Sequence, residues 1–227
     1  MSADLRLVIF DVDGTLVDSQ GDIMAAMAHA FNAVDEPLPD RQKVLGTVGL
    51  SLDKIFPRLL PGQSHHAYEL MVESYKSAYM DLRAQVGIAE SSPFYPGAFE
   101  ALSALHAIPE VLLGVATGKS KRGLDKLIEG HGLKGMFVTQ QVADFHPSKP
   151  HPSMVLQALA DTGVAPHNAV MIGDTSFDME MAAAAGVQGI GVGWGYHPAG
   201  QLTKAKIVID QYSDLAPALD NIWRIAQ

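Results

Sequence analysis

The chain has 227 residues, 48% of them hydrophobic and 18% charged, with a formal net charge of −9 and no cysteine. These values fit a globular protein with one full-sized core and room for a second small domain. They exclude disulfides, thiolate metal sites and thiol nucleophiles, and they argue against nucleic acid or an anionic membrane as the main partner.

The first eleven residues carry no signal-peptide pattern, and no apolar run is long enough to span a bilayer, so a cytoplasmic protein without a membrane partner is expected. No internal repeat or low-complexity tract is present. An apolar run at 5–10 predicts the first strand. It ends abruptly in Asp11 and Asp13, with Gly14 and Thr15 directly after. Buried charge is costly unless something pairs with it, so this stretch is either a cation site or a solvated turn.

From 17 to 92 the pattern is helical, with no convincing strand. Ser19 is placed to cap a helix whose Ile23, Met27, Ala30, Phe31 and Val34 share one face. Residues 36–40 break the chain. Residues 64–85 predict a longer helix with Leu70, Met71, Tyr75, Tyr79 and Leu82 along one stripe. These stripes read as packing surfaces. Pro93, Pro96 and Gly97 mark the return to alternating strands and helices.

Further strands are predicted at 111–116, 136–138, 169–172, 189–192 and 207–209. Near-continuous apolar strands separated by helices indicate a parallel sheet covered on both faces. The expected fold is α/β, a Rossmann-like doubly wound parallel sheet with an inserted helical cap. The expected division is a core of 1–16 and 93–227, and a cap of 17–92.

Four places carry chemistry: Asp11 with Asp13, Thr117 with Gly118, Lys149, and Asp174 with Asp178. Three of the four lie at the C-terminal ends of predicted strands, the edge where open parallel sheets bind ligands. Asp11, Asp13 and Asp174 are hard oxygen ligands of the kind Mg²⁺ takes. Thr117 offers a hydroxyl and an amide at a helix start, and Lys149 a point charge, both suited to phosphate. Gly14 and Gly118 let backbone approach an anion closely. Phosphoryl transfer is mostly positioning and charge neutralisation, and an aspartate can serve as its nucleophile.

Residues 11–15 (DVDGT), 116–119 (ATGK), 148–152 (SKPHP) and 173–178 (GDTSFD) resemble, in order, the four motifs of the haloacid dehalogenase-like superfamily. The resemblance covers nearly the whole chain. The insert after the first motif resembles the helical-cap subclass that includes phosphoglycolate phosphatases. The resemblance implies a Mg²⁺-dependent phosphatase acting on a small phosphorylated metabolite, as a monomer or homodimer. It implies Asp11 as nucleophile and Asp13 as general acid and base. Thr117 and Lys149 would bind the phosphoryl oxygens. Asp11, Asp174 and the backbone carbonyl of Asp13 would hold Mg²⁺, with Asp178 orienting Lys149 or a metal-bound water.

Other readings compete. A calcium loop fits poorly, because the glycine is fourth rather than sixth and Asp22 stands where a glutamate belongs. Asp13, Asp174 and Asp178 favour phosphoryl transfer over dehalogenation. Phosphomutase and pyrophosphatase share the motifs, and a non-catalytic phosphate-binding module stays as the alternative of another class. Lys43, Lys54, Arg58 and Arg83 are candidates for contacting the substrate from the insert. Lys119 is open between site and solvent. Asp174 is open between helix cap and metal ligand. His65, His66, His146 and His151 lack ordered metal-ligand spacing and read as surface or hydrogen-bonded groups. Trp194 and Tyr196 either wall the site or pack.

Overall fold

The computed structural model describes residues 5–225; residues 1–4 and 226–227, at the two ends of the expected core, lie outside the described part. Six strands form one parallel sheet: β1 (Arg6–Phe10), β2 (Val111–Thr117), β3 (Thr139–Val142), β4 (Ala169–Gly173), β5 (Gln188–Val192) and β6 (Ile207–Ile209). Their spatial order is β3-β2-β1-β4-β5-β6. The chain leaves β1 in one direction for β2 and β3, and returns to its other side with β4. That reversal opens a crevice beyond the C-terminal ends of β1 and β4, where doubly wound sheets bind ligands.

Alternation along β1 shows why this strand is central. Leu7 and Ile9 face one hydrophobic layer, Val8 and Phe10 the other, and all four are fully buried. The first layer is closed by α8 (Ser153–Thr162) and α9 (Ser176–Ala184), through Val155, Met181 and Ala182. The second is closed by α6 (Ala98–His106), α7 (Lys121–Gly130) and α10 (Leu215–Ile225), through Leu102, Leu124 and Leu219.

Between β1 and α6 lies a helical insert: α1 (Gln20–Asn32), α2 (Arg41–Leu45), α3 (Leu52–Leu59), α4 (His65–Val86) and the short α5 (Ile88–Ser91). It has its own apolar cluster, in which Met27 and Phe31 of α1 meet Phe56 of α3 and Met71 of α4. No strand crosses this segment among the described residues. Among those residues, too, no helix is long and apolar enough to cross a membrane.

Three local expectations are corrected. The third strand is Thr139–Val142, not 136–138. This edge strand is polar because α8 supplies its partner: Asp161 accepts hydrogen bonds from Thr139 (2.8 Å) and Gln141 (2.7 Å), while Phe137 sinks into the core ahead of the strand. Ser19 occupies the position before α1, but its hydroxyl caps nothing there. Leu70, assigned to the packing stripe of α4, is exposed, and Ala78 and Arg83 are buried instead.

Candidate active site

Asp11 directly follows β1 and Asp174 directly follows β4, so the switch point places them side by side. The Asp11 amide still donates to the Ile172 carbonyl of β4, at 2.9 Å. Gly14 turns the chain with φ +81°, and a Cβ there would stand 2.2 Å from Asp174 Oδ2. Only glycine permits both the left-handed turn and the close approach. The Thr15 hydroxyl then donates to Asp174 Oδ1 (3.0 Å), and the Tyr196 amide to Oδ2 (2.8 Å).

Lys149 arrives from the loop before α8 with its side chain fully buried. Its ammonium lies 2.9 Å from Asp11 Oδ1 and 2.7 Å from Asp178 Oδ1. Asp178 is itself committed: its Oδ2 accepts from the Thr175 amide (3.0 Å) and hydroxyl (2.6 Å) in a capping box that starts α9. The cap of α9 is therefore Thr175, not Asp174.

Asp11, Asp174 and Asp178 bring oxygens within 4.8 Å of one another. Three carboxylates and one ammonium are buried together, and Lys149 pairs with two of the three. Burial is the main force raising the Asp11 carboxyl, to about 7, with the charge of Asp178 adding to it and Lys149 opposing it. Asp174 is pushed well above the usual carboxylate range by burial and by the charges of Asp178 and Asp11. Although Lys149 is close, no hydrogen bond is aligned on the buried Asp11 Oδ1. An excess of buried carboxylate over ammonium is the environment that a hard divalent cation relieves, so these residues fit one.

Asp13, two residues along, points elsewhere. Its Oδ1 accepts from Lys119 Nζ at 2.7 Å and from the Ser19 hydroxyl. Burial alone would raise this carboxyl; Lys119, with help from Ser19, holds it below the ordinary range. Lys119 also donates to the Tyr79 hydroxyl of α4 (3.0 Å), so the insert touches the Asp13 pair directly. Tyr196 Oη lies 3.3 Å from Ser19 Oγ.

Thr117 is the last residue of β2 rather than a helix start. Helix α7 begins four residues later, capped by Ser120. Thr117 Oγ1 accepts the Lys119 amide (3.2 Å), and this tight turn points Gly118 at the insert. A Cβ on Gly118 would lie 2.8 Å from the Gly49 carbonyl.

Asp11, Asp13, Thr117, Gly118 and Lys119 form one wall of a cavity of about 850 Å³, closed on the other side by α1, α3, α4 and the loop at 48–50. Lys149, Asp174 and Asp178 lie behind that wall. Of the four insert cations considered, only Arg83 lines the cavity. It donates to Ser92 (2.7 Å) and pairs with Asp22 (3.4 Å). Lys54 pairs with exposed Asp53, Arg58 lies over the Phe177 ring, and Lys43 is exposed. His65 and His66 are exposed beside Glu69; His146 bridges Ser153 and Gln141, and His151 accepts the Ser153 amide.

Sequence reasoning missed Thr15, Ser19 and Tyr79. Thr15 and Tyr79 have partners far away in the chain, and Ser19 meets Asp13 only through the path of the loop between β1 and α1, so no residue pattern marks them. Tyr196 does reach the site. Trp194 instead steadies it, donating to the Thr15 carbonyl at 3.2 Å.

Comparison with known proteins agrees with this arrangement. Residues 8–192 match the family model described as haloacid dehalogenase-like hydrolase. A Dickeya dadantii protein named "Probable phosphatase IndB" is 34% identical over 226 residues, covering 97% of this chain and 96% of its own. A phosphoglycolate phosphatase of Escherichia coli O157:H7 is 30% identical over 235 residues, covering 95% and 93%. The crystal structure of a hydrolase from Pseudomonas syringae superposes with a TM-score of 0.83 at 26% identity, covering 96% of this chain and 99% of its own. On the family match and this whole-length similarity, the chain belongs to the haloacid dehalogenase-like hydrolases.

Proposed function

We propose that the chain is a Mg²⁺-dependent phosphatase that hydrolyses a phosphate monoester through phosphorylation of Asp11. The observation that carries this reading is the contrast between two carboxylates two residues apart. Asp11 sits against Lys149 and the carboxylate cluster. Asp13 sits outside the cluster, held by Lys119 and Ser19. Two carboxylates in two environments take two roles.

In this reading Asp11, Asp174 and the Asp13 backbone carbonyl hold Mg²⁺. When bound, the ion supplies positive charge that keeps Asp11 ionised and offsets the phosphoryl oxygens. Asp11 attacks phosphorus, and the bond to the leaving oxygen breaks. Lys149 and the Thr117 hydroxyl hold phosphoryl oxygens, with the Gly118 amide beside them. Asp13 gives the leaving alcohol its proton, then takes one from the water that cleaves the aspartyl-phosphate. Asp178 fixes Lys149. Residues 17–92 act as the cap that shields the intermediate from solvent, over a core of 1–16 and 93–227. The names of the relatives support a phosphatase of small molecules.

The test is phosphate release from a panel of monoesters, with and without Mg²⁺, by the wild type and Asp11→Asn. Mg²⁺-dependent release, lost at least about 10³-fold in Asp11→Asn, is expected. Release that survives both chelation and Asp11→Asn would overturn the proposal.

A further inference from the structure

The cavity bears on the leaving group. At about 850 Å³ it lies toward the upper end of the range, roughly 300–1,000 Å³, that encloses drug-sized ligands. A two-carbon carboxylate such as glycolate would fill a small part of it. This volume is not a gap left by an insert standing away from the core. Tyr79 of α4 reaches Lys119, the Ser51 amide donates to Ser148 Oγ (2.9 Å), and Gly46 O lies 3.1 Å from His197 Nε2. The insert is seated, and the space remains.

Much of the lining on the insert side is apolar. Ile23 and Met27 of α1, Leu50, Ile55 of α3, and Tyr75 and Met80 of α4 face the Asp13 wall. Several of these were read from the sequence as packing residues, and they serve both purposes. The two inner cations are already engaged, Lys119 by Asp13 and Arg83 by Asp22. Lys76, Arg122 and Lys126 also line the cavity, so size and apolar surface, rather than charge, are what the lining selects.

Resting on the phosphatase reading, we infer that the preferred substrate is a phosphate monoester whose leaving group is at least ring-sized and presents an apolar surface, rather than a two-carbon group such as glycolate. The apolar wall binds this group in the ground state and the transition state alike, so the preference is expressed chiefly in KM.

The experiment compares 2-phenylethyl phosphate, ethyl phosphate and phosphoglycolate under saturating Mg²⁺. The two alkyl alcohols have similar basicity, which removes leaving-group chemistry from their comparison. Expected is a kcat/KM for the phenylethyl ester at least about tenfold above the other two, mostly in KM. Met80→Trp, at a position of α4 that lines the cavity, takes up part of the space and narrows that advantage. Turnover of phosphoglycolate equal to or above that of the phenylethyl ester overturns the inference and leaves the phosphatase reading standing. Failure of all three, together with a silent wider monoester panel, overturns the phosphatase reading and this inference with it.

Discussion

Lys119 Nζ stands 2.7 Å from Asp13 Oδ1 and 3.0 Å from Tyr79 Oη, so one ammonium ties the proposed general acid to helix α4 of the insert. Burial works against the charge on both partners, and their mutual attraction overcomes it: Asp13 is held low and Lys119 high. The pair contributes stability above the ordinary carboxylate pKa, and that contribution is lost as pH falls through the lower value Asp13 has in the fold.

The same pairing fixes where Asp13 titrates. Removing the cation in Lys119→Met lets the Asp13 carboxyl protonate at higher pH. The limb of the kcat/KM profile that reports Asp13 therefore moves to higher pH. Lys119→Arg restores the limb toward its wild-type position. A limb unmoved in Lys119→Met would reduce the lysine to a packing role.

The buried carboxylate cluster makes stability depend on pH in the opposite sense. Asp11 and Asp174 have raised pKa values in the fold, about 7 for Asp11, against an ordinary value of 3.8. Between those values the native state holds protons that the unfolded chain has released, so metal-free stability falls as pH rises through this window. Mg²⁺ competes with those protons. The rise in Tm on adding Mg²⁺ is expected to be larger at pH 8 than at pH 5.5, and to vanish in Asp174→Asn. An equal rise at both pH values would contradict the cluster as the ion's seat.

Arg83 is expected to matter for folding more than for substrate choice. Its side chain is 7% exposed, and it joins Asp22 of α1 to Ser92 at the end of the insert. Arg83→Ala leaves Asp22 buried without its partner, a loss of about 3–5 kcal/mol by urea denaturation. Arg58→Ala, which removes only an exposed cation over the Phe177 ring, costs at most about 1 kcal/mol. Equal effects from the two variants would show that the buried pair adds nothing.

Much of the fold is legible in the sequence because each central strand is buried on both faces. Continuous apolar runs such as 5–10 and 169–172 therefore announce themselves. The edge strand β3 does not, since its Thr139 and Gln141 are satisfied by Asp161, 22 and 20 residues on. The motif carboxylates and Lys149 are legible because strand ends collect them at one crevice. The surroundings that set their behaviour are not. Ser19 looks like a helix cap and serves Asp13 instead. Tyr79 looks like stripe packing and meets Lys119. Arg83 looks like a substrate contact and is spent on Asp22. Each depends on the three-dimensional path of the chain: the loop after β1 for Ser19, the packing of insert on core for Tyr79, and the packing of α4 on α1 for Arg83.

The central claim is that Asp11 carries the phosphoryl group during turnover. The direct measurement is acid quench of the enzyme working on an ester with a labelled phosphoryl group, followed by peptide mapping of the label. The account expects label in the peptide containing Asp11, formed and lost at rates consistent with turnover, and none in Asp11→Asn. Steady phosphate release with no label on that peptide, or label that persists in Asp11→Asn, would contradict it.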